Sequence, residues 1–189
     1  MSNTPDNTLR GRILIASPAI GDPRFERTII YMCAHSVDKG AMGLILNKPV
    51  EGVDFRTVFK QLNISDIVID DLRVHSGGPV ETTRGFVLHS ADYESPDGSI
   101  IADDVTLTAT LDILKDIAVG AGPRKRILAL GYAGWAAGQI EEEIRANGWL
   151  VADADEDLVF DGDLEAKWDK ALAKLGVDAS NLHGQGGTA

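Results

Sequence analysis

The sequence has little cysteine, little positive charge and few long apolar runs. Its only cysteine among 189 residues is Cys33, which excludes an intrachain disulfide and gives no sign of an oxidising compartment. No apolar run approaches the roughly 20 residues that cross a bilayer. The first twelve residues, MSNTPDNTLRGR, also lack the apolar centre of a secretory signal. We therefore expect a cytoplasmic protein that does not enter a membrane.

Basic residues are outnumbered, with 18 Lys and Arg against 29 Asp and Glu and a net charge of −11. Binding to nucleic acid over a large area needs a concentrated basic face. The densest basic cluster here is Arg124, Lys125 and Arg126. The charge therefore disfavours direct nucleic-acid binding, although it leaves room for a small local patch.

What is present is ordinary for a globular protein: 44% hydrophobic and 25% charged residues, with no dividing linker or repeat. The length suits one domain. We predict a flexible tail at 1–10, a single domain at 11–182 and a second flexible tail at 183–189. Strands with hairpin-length links dominate the first half, and helices alternate with strands in the second. This order favours one mixed α/β or α+β domain over a doubly wound parallel sheet.

Apolar spacing and turn residues locate the individual elements. Helices are predicted at 54–62, 111–118, 136–146 and 163–175, the first capped by Asp54 and the last by Asp163. Tight turns are predicted at 37–40 and 95–98. Strands are predicted at 12–18, 28–36, 40–49, 73–80, 85–90, 125–130, 149–154 and 157–160, and the stretch 99–108 reads as strand and turn.

The segment LGYAGWAAGQIEEEI, residues 130–144, has the strand, glycine turn and helix order of a phosphate loop or a nucleophile elbow. It lacks the lysine of the first, and Ala133 occupies the serine position of the second. Close packing is favoured instead, with Gly134 and Gly138, four residues apart, leaving a bare helix face. Exposed backbone amides around Gly131, Tyr132 and Gly134 remain the functional alternative.

Cys33 and His35 are two residues apart on a predicted strand, so they should share one face. A thiol beside an imidazole suggests an activated nucleophile, a redox sensor or part of a metal site. A structural zinc site needs about four ligands, and the chain offers no second thiol. A single cysteine in an apolar strand is more often a small buried hydrophobe.

The segment HSGGPVE, residues 75–81, places His75 and Ser76 before two glycines. A catalytic serine needs a base and a carboxylate close in space, which the sequence does not locate. Paired glycines before a proline more often form a turn or a close backbone contact. The alternative is a small anion nest made by the amides of Gly77 and Gly78.

Basic residues near these turns, including Arg84, could gather around an anionic ligand, although solvated surface side chains are commoner. We expect no catalytic set, no metal ligands and no cofactor. The candidate ligand or redox surface consists of Cys33, His35, Asn47, His75, Gly77, Gly78, Arg84, Gly131, Tyr132 and Gly134.

Five ordered motifs resemble the YqgE/AlgH family of bacterial proteins over about residues 11–182. They are ASPAIGDPRFERTIIYMCAHS, GAMGLILNKP, SGGPVETTRGFVLH, LGYAGWAAGQIEEEI with NGWL, and FDGDLEAKWDKALAKLGVD. The resemblance implies a compact α+β domain with a mixed, largely antiparallel, bifurcated sheet flanked by about four helices. It implies no catalytic residues. Part of the family carries the label of transcriptional regulator.

Three functions are compatible with these observations. The first is a non-catalytic binding or regulatory domain that acts through a protein partner or a small ligand. The second is a transcriptional regulator that binds DNA directly, although no helix-turn-helix follows the helix predicted at 54–62. The third is a thiol-dependent enzyme or redox sensor that uses Cys33. The sequence favours the first and identifies neither the partner nor the oligomeric state.

Overall fold

The computed structural model describes residues 8–102 and 104–182, so most of the two predicted tails, 1–7 and 183–189, lies outside the described residues. The strands are β1 (Arg12–Ala16), β2 (Ile29–Ser36), β3 (Gly40–Ile45), β4 (Val74–Ser76), β5 (Val80–Ser90), β6 (Ser99–Ala102), β7 (Val105–Thr108), β8 (Arg126–Trp135) and β9 (Trp149–Asp153). The helices are α1 (Phe55–Gln61), α2 (Leu111–Ala118), α3 (Gln139–Arg145), α4 (Glu156–Phe160), α5 (Lys167–Lys174) and α6 (Ala179–Leu182).

The strands form one sheet in the order β6-β7-β5-β8-β3-β2-β1-β9, with β4 added beside β8. The pairing of β4 with β8 is parallel, and the other strand pairs are antiparallel. Four helices of seven or eight residues and two shorter ones accompany the sheet. The predicted α+β fold, a single compact domain with a mixed and largely antiparallel sheet, is confirmed.

The sheet divides in two where β3 and β8 separate. These strands pair only over residues 41–43 and 133–135. Beyond that point β4 lies between them, because it pairs with residues 128–130 of β8 and the Ser76 N–H donates to the Lys48 carbonyl at 2.9 Å. At the point of separation the Gly77 N–H donates to Leu130, and the Ile45 N–H donates to Gly77. We call this junction, made by Gly77, Gly78 and Gly131, the fork.

Three apolar clusters hold the layers together. Side chains of successive strand residues point to opposite faces of a sheet, so both faces can pack against helices. The inner cluster joins both halves of the sheet, through residues such as Ile15, Ile29 and Leu88, to Trp168 and Leu172 of α5. A second cluster packs α1 and α2 against β4, β5 and β8. A third packs α3 against β1, β2 and β3. Each buried residue of leucine size contributes about 1.5–3 kcal/mol to these layers.

The glycine-rich segment after residue 130 is not a turn. It continues β8 as far as Trp135, because Ala133 pairs with Gly43 of β3 and Tyr132 pairs with Val80 of β5. The helix begins only at Gln139, after Gly138 in a left-handed conformation. The predicted bare helix face of Gly134 and Gly138 is therefore wrong, since Gly134 belongs to the strand and Gly138 precedes the helix.

The predicted strand at 157–160 is also wrong, because these residues form α4. The Asp155 carboxylate accepts a hydrogen bond from the Leu158 N–H at 2.7 Å, and two acidic residues occupy the first turn. Both features stabilise a helix start. Local capping here outweighs the strand-like apolar composition of the segment.

Candidate functional site

A cleft of about 840 Å³ lies between two hairpins on the concave side of the sheet. One wall is residues 34–42 of the β2–β3 hairpin, and the other comes from Asp97, Ser99, Leu107 and Ala109 of the β6–β7 hairpin and its ends. The floor comes from β5 and β8. We call this cleft the hairpin groove. Its principal lining residues are Ala34, His35, Lys39, Met42, Val80, Arg84, Phe86, Asp97, Leu107, Tyr132 and Gly134.

The floor of the groove is an aromatic pair with a cation beside it. The rings of Phe86 and Tyr132 meet edge to face with centroids 5.9 Å apart. The Arg84 guanidinium carbon lies 5.0 Å from the Phe86 ring centroid, within cation–π range. Burial, followed by the neighbouring Glu81, raises the pKa of Tyr132, so its hydroxyl stays neutral and can donate or accept a hydrogen bond.

A break in the pairing register of β5 with β8 lies beside this floor. Val80 pairs with Tyr132, but the next pair of the ladder joins Gly85 to Leu130, so extra residues of β5 bulge out between them. Glu81 within the bulge has a positive φ of 45°. Bulges bend a strand and change the direction of its side chains, and they are common beside binding sites.

His35 lies in the groove wall with both ring nitrogens already bonded. The Leu9 N–H donates to Nδ1 at 3.0 Å, which requires that nitrogen to be unprotonated. Nε2 then carries the proton and donates to the Glu141 carboxylate of α3 at 2.6 Å. The imidazole therefore links Leu9 and α3 to β2 through hydrogen bonds. Neither ring nitrogen is free to act as a base.

Cys33 does not share a face with His35, contrary to the prediction. The β2–β3 register shifts between Met32 and Ala34, so Cys33 is an extra residue that changes the alternation of side chains. Cys33 packs in the inner cluster with 4% exposure, whereas His35 contacts α3. Burial raises the pKa of the Cys33 thiol to about 12. These features favour the small buried hydrophobe over a reactive thiol.

The fork is a backbone contact that leaves no space for side chains. A methyl group on Gly77, Gly78 or Gly131 would lie 2.2, 2.1 or 2.5 Å from backbone atoms of the facing segment. The Gly77 N–H already donates to the Leu130 carbonyl at 2.8 Å. This geometry supports close packing at these glycines and gives no support to an anion nest that uses the Gly77 amide.

His75 is buried beside the fork with 1% exposure. Neither ring nitrogen has a hydrogen-bond partner among residues 8–102 and 104–182. Burial first, then the charges of Lys167 and Arg73, lower the pKa of His75 to about 3. Lys167 is itself buried and donates to the Val159 carbonyl at 2.6 Å. His75 is thus a neutral core residue with cationic neighbours, unlike the histidine of a hydrolase triad.

Asn47 supports a loop away from the groove. Its Oδ1 accepts from the Ile29 N–H at 3.0 Å, and its Nδ2 donates to the Arg27 carbonyl at 2.8 Å. These bonds hold Arg27 at a φ of 52°, a left-handed conformation that costs about 1–3 kcal/mol for such a residue. The observed role of Asn47 is therefore structural.

Glu143, one of the three consecutive glutamates of the 130–144 segment, serves two tryptophans. Its Oε2 accepts from the indole N–H groups of Trp135 at 3.0 Å and Trp149 at 2.8 Å. Its Oε1 accepts from the Gln139 amide at 3.0 Å. The carboxylate thus satisfies two nearly buried donors between α3 and the outer face of the sheet.

Carboxylates neutralise much of the basic cluster at 124–126. The Lys125 ammonium lies 3.2 Å from Glu156 and 3.6 Å from Asp157. Arg124 lies 3.6 Å from Asp92. No group of three metal-binding side chains occurs in the described part of the chain. In the same residues the helices are too short and too polar to cross a bilayer.

The groove unites four of the candidate residues, His35, Arg84, Tyr132 and Gly134. The other six lie in the inner core, at the fork or under the loop after β1. Sequence reasoning missed the apolar lining, above all Met42, Phe86 and Leu107. Two signals pointed toward it, the turns at 37–40 and 95–98, but nothing in the sequence showed that the two hairpins face each other.

Comparison with known proteins places this geometry in a family. A family model described as AlgH-like, DUF179, matches residues 13–180. A UPF0301 protein of Caulobacter vibrioides is 54% identical over 187 residues, covering 96% of this chain and 94% of the relative. A UPF0301 protein of Rhodopseudomonas palustris is 52% identical over 190 residues, covering 96% and 87%.

Two solved structures are similar over most of their length. The solution structure of the AlgH protein from Pseudomonas aeruginosa has a TM-score of 0.79 and 37% identity, with all of both chains covered. The crystal structure of protein DIP2367 from Corynebacterium diphtheriae has a TM-score of 0.74, covering 91% of this chain and 90% of that one. At 20% identity the second match shows a shared fold alone.

Proposed function

The chain belongs to the AlgH-like family, and we propose that it is a non-catalytic binding or regulatory domain. Its hairpin groove seats a small ligand or a segment of a protein partner, and it acts in the cytosol. The observation that carries this proposal is a convergence. Three separate sequence motifs, which contribute Ala34, Val80 and Tyr132, meet in one concave and largely apolar cleft. Such clefts with a few polar groups are the usual form of a ligand site.

The chemistry around the groove supports binding more than catalysis. Both nitrogens of His35 are engaged, Cys33 is a buried thiol, and His75 lies in the core. A nucleophile and its base need to be within hydrogen-bond reach of each other. None of these three groups offers that arrangement to a molecule in the groove.

Regulation is compatible with this proposal, because a domain that binds one partner can act without touching DNA. The pairing of Lys125 with Glu156 and Asp157 weakens the basic cluster, the one feature of the sequence itself that favoured direct DNA contact. We therefore place the regulatory action at the groove.

Filling the groove tests the proposal. Ala34 is exposed on the groove wall, so Ala34→Phe should fill the cleft without disturbing the core. Ala173→Phe, on the exposed side of α5, is the matched control. Thermal-shift screening against metabolites and affinity capture of partners should give hits that Ala34→Phe loses and Ala173→Phe keeps. Hits that both variants keep would place binding elsewhere, and no hit with the wild type would contradict the proposal.

A further inference from the structure

We propose that the hairpin groove binds a small amphipathic anion, an apolar molecule with one carboxylate-like head group that Arg84 and Lys39 hold. This inference rests on the proposed function and names the class of molecule that the groove takes. The apolar part lies on Met42, Phe86, Leu107 and Tyr132. The head group lies at the basic rim.

The groove is less acidic than the chain as a whole. The sequence carries −11, whereas the lining holds two cations, Lys39 and Arg84, and one carboxylate, Asp97, with Glu81 beside Arg84. Lys39 makes no ion pair with residues 8–102 or 104–182. Cations at the rim attract an anion to this place even though the rest of the protein surface is acidic and attracts cations.

Arg84 is available to an incoming anion. Among the residues that the structure describes, its one ion pair is with Glu81 at 3.5 Å, and both side chains are more than half exposed. Exposed pairs of this kind contribute about 0–1 kcal/mol, so exchanging the partner costs little. The guanidinium lies beside the Phe86 ring. An arginine in this position can bind a carboxylate through two parallel hydrogen bonds while the ring contacts the apolar part of the same molecule.

The apolar lining is continuous with the inner core. Met42, Leu107 and Tyr132 pack against the inner cluster yet are only partly buried, because the two hairpins leave the groove open. Covering such side chains with an apolar ligand removes more surface from water. The volume of about 840 Å³ falls within the roughly 300–1,000 Å³ typical of small-molecule sites.

In the described part of the chain, the strands of the floor are largely paired, and the outer strand of the sheet on the far wall is β6. Residues 133–135 of β8 pair with β3 on one side, and Tyr132 pairs with Val80 of β5 on the other. On the far wall, the Arg10 side chain donates to the Ile100 carbonyl of β6. Peptides that add a strand need an unpaired row of backbone groups. The groove therefore favours a ligand held by side chains.

Three probes of equal chain length separate the contributions of charge and apolar contact: octanoate, octanol and octylammonium. Each is titrated into ¹⁵N-labelled wild-type protein, and amide shifts of residues 34–42, 97–102 and 104–109 report binding in the groove. We expect octanoate to bind about tenfold more tightly than octanol, as two partly exposed charge contacts allow. Octylammonium should bind no more tightly than octanol.

Variants assign the charge preference to the two cations. Arg84→Gln combined with Lys39→Gln should lower octanoate affinity to that of octanol and leave octanol binding unchanged. Lys60→Gln on the exposed surface of α1 is the matched control and should change neither. Equal affinity for octylammonium and octanoate, or octanoate shifts outside the groove, would overturn the inference.

The inference and the proposed function can fail separately. If the groove amides respond to octanol or to a captured partner but show no preference for octanoate, the anion inference is wrong and the binding function stands. If no probe or partner shifts the groove amides of the wild type, both are wrong.

Discussion

The fork and the hairpin groove use neighbouring glycines of β8 for opposite purposes. Gly131 at the fork is buried, and a methyl group there would lie 2.5 Å from the Gly78 carbonyl oxygen. Gly134 on the groove floor is exposed, and the same methyl group would meet side chains alone, the edge of the Tyr132 ring at 3.3 Å and Val80 at 4.0 Å. Gly131 therefore permits a close backbone contact, whereas Gly134, three residues further along the same strand, lies on an open surface.

This difference teaches that a glycine-rich motif need not be one site. The fork joins two halves of a sheet, so its geometry is determined by hydrogen bonds and close contacts on every side. The groove is bounded by two hairpins and shaped by side chains that remain partly uncovered. We therefore expect changes at the fork to lower stability and changes in the groove to lower binding.

The largest effect should come from adding one methyl group at the fork. Gly131→Ala combines the close contact with a φ of 76°, so we expect the free energy of unfolding to fall by more than about 3 kcal/mol. Gly77→Ala should act similarly, because its methyl group would lie 2.2 Å from the Gly131 carbonyl oxygen. Urea unfolding measures both.

Gly134→Ala is the matched control for the fork glycines. It carries the same substitution three residues away, at an ordinary φ, and should change stability by less than about 1 kcal/mol. A similar loss of stability at Gly131 and Gly134 would remove the distinction between the fork and the groove.

A second, smaller effect should follow from Glu143→Ala on the outer face of the sheet. The indole N–H groups of Trp135 and Trp149 would both lose their acceptor, and we expect a loss of about 2–3 kcal/mol. Glu143→Gln retains an acceptor oxygen and should lose less. Ligand affinity should not change in either variant, because Glu143 is not part of the groove lining. Lost binding at unchanged stability would contradict this assignment.

A third effect concerns pH at the fork. The pKa of folded His75 is about 3, below its ordinary value near 6.5, so the unfolded chain binds the extra proton between these values. The contribution of neutral His75 to the free energy of unfolding is therefore fully present above about pH 6.5 and is lost as the pH falls toward 3. Between pH 6.5 and 5 we expect a loss of about 2 kcal/mol, which His75→Leu should largely abolish.

Denaturant unfolding at pH 7 and pH 5 measures this contribution. Lys167 adds little to this difference, because burial lowers its pKa to about 7 and its contribution to the free energy of unfolding grows mainly above that pH. Since neither ring nitrogen has a partner in the described part of the chain, His75→Leu should cost little at pH 7. Equal pH slopes in the wild type and the variant would show that His75 is not the group responsible.

The sequence predicted the fold better than the site. Apolar spacing located α1 and α2, and the turn at 37–40 correctly joined β2 to β3. These features follow from local patterns. The register shift that separates Cys33 from His35 could not be predicted, because a bulge depends on how two strands pair.

The candidate site depended on contacts between distant parts of the chain. Gly77, Gly131 and Gly134 look equivalent in sequence, and only the position of β4 between β3 and β8 gives them different roles. Similarly, Met42 and Leu107 belong to different hairpins and are 65 residues apart in the sequence. Their positions on the same cleft depend on the curvature of the whole sheet, which alternating apolar residues do not encode.

Amide hydrogen exchange, with and without the ligand or partner segment that the screen identifies, tests the central claim most directly. In the free protein, the amides of Gly77 and Ile45 at the fork should exchange only through global unfolding, and those in the hairpin walls should exchange faster. Binding should slow exchange in residues 34–42, 97–102 and 104–109 beyond the uniform slowing that the added global stability gives to the fork amides. Protection that appears at the fork or at 124–126, with none in the hairpin walls, would contradict the assignment of binding to the groove.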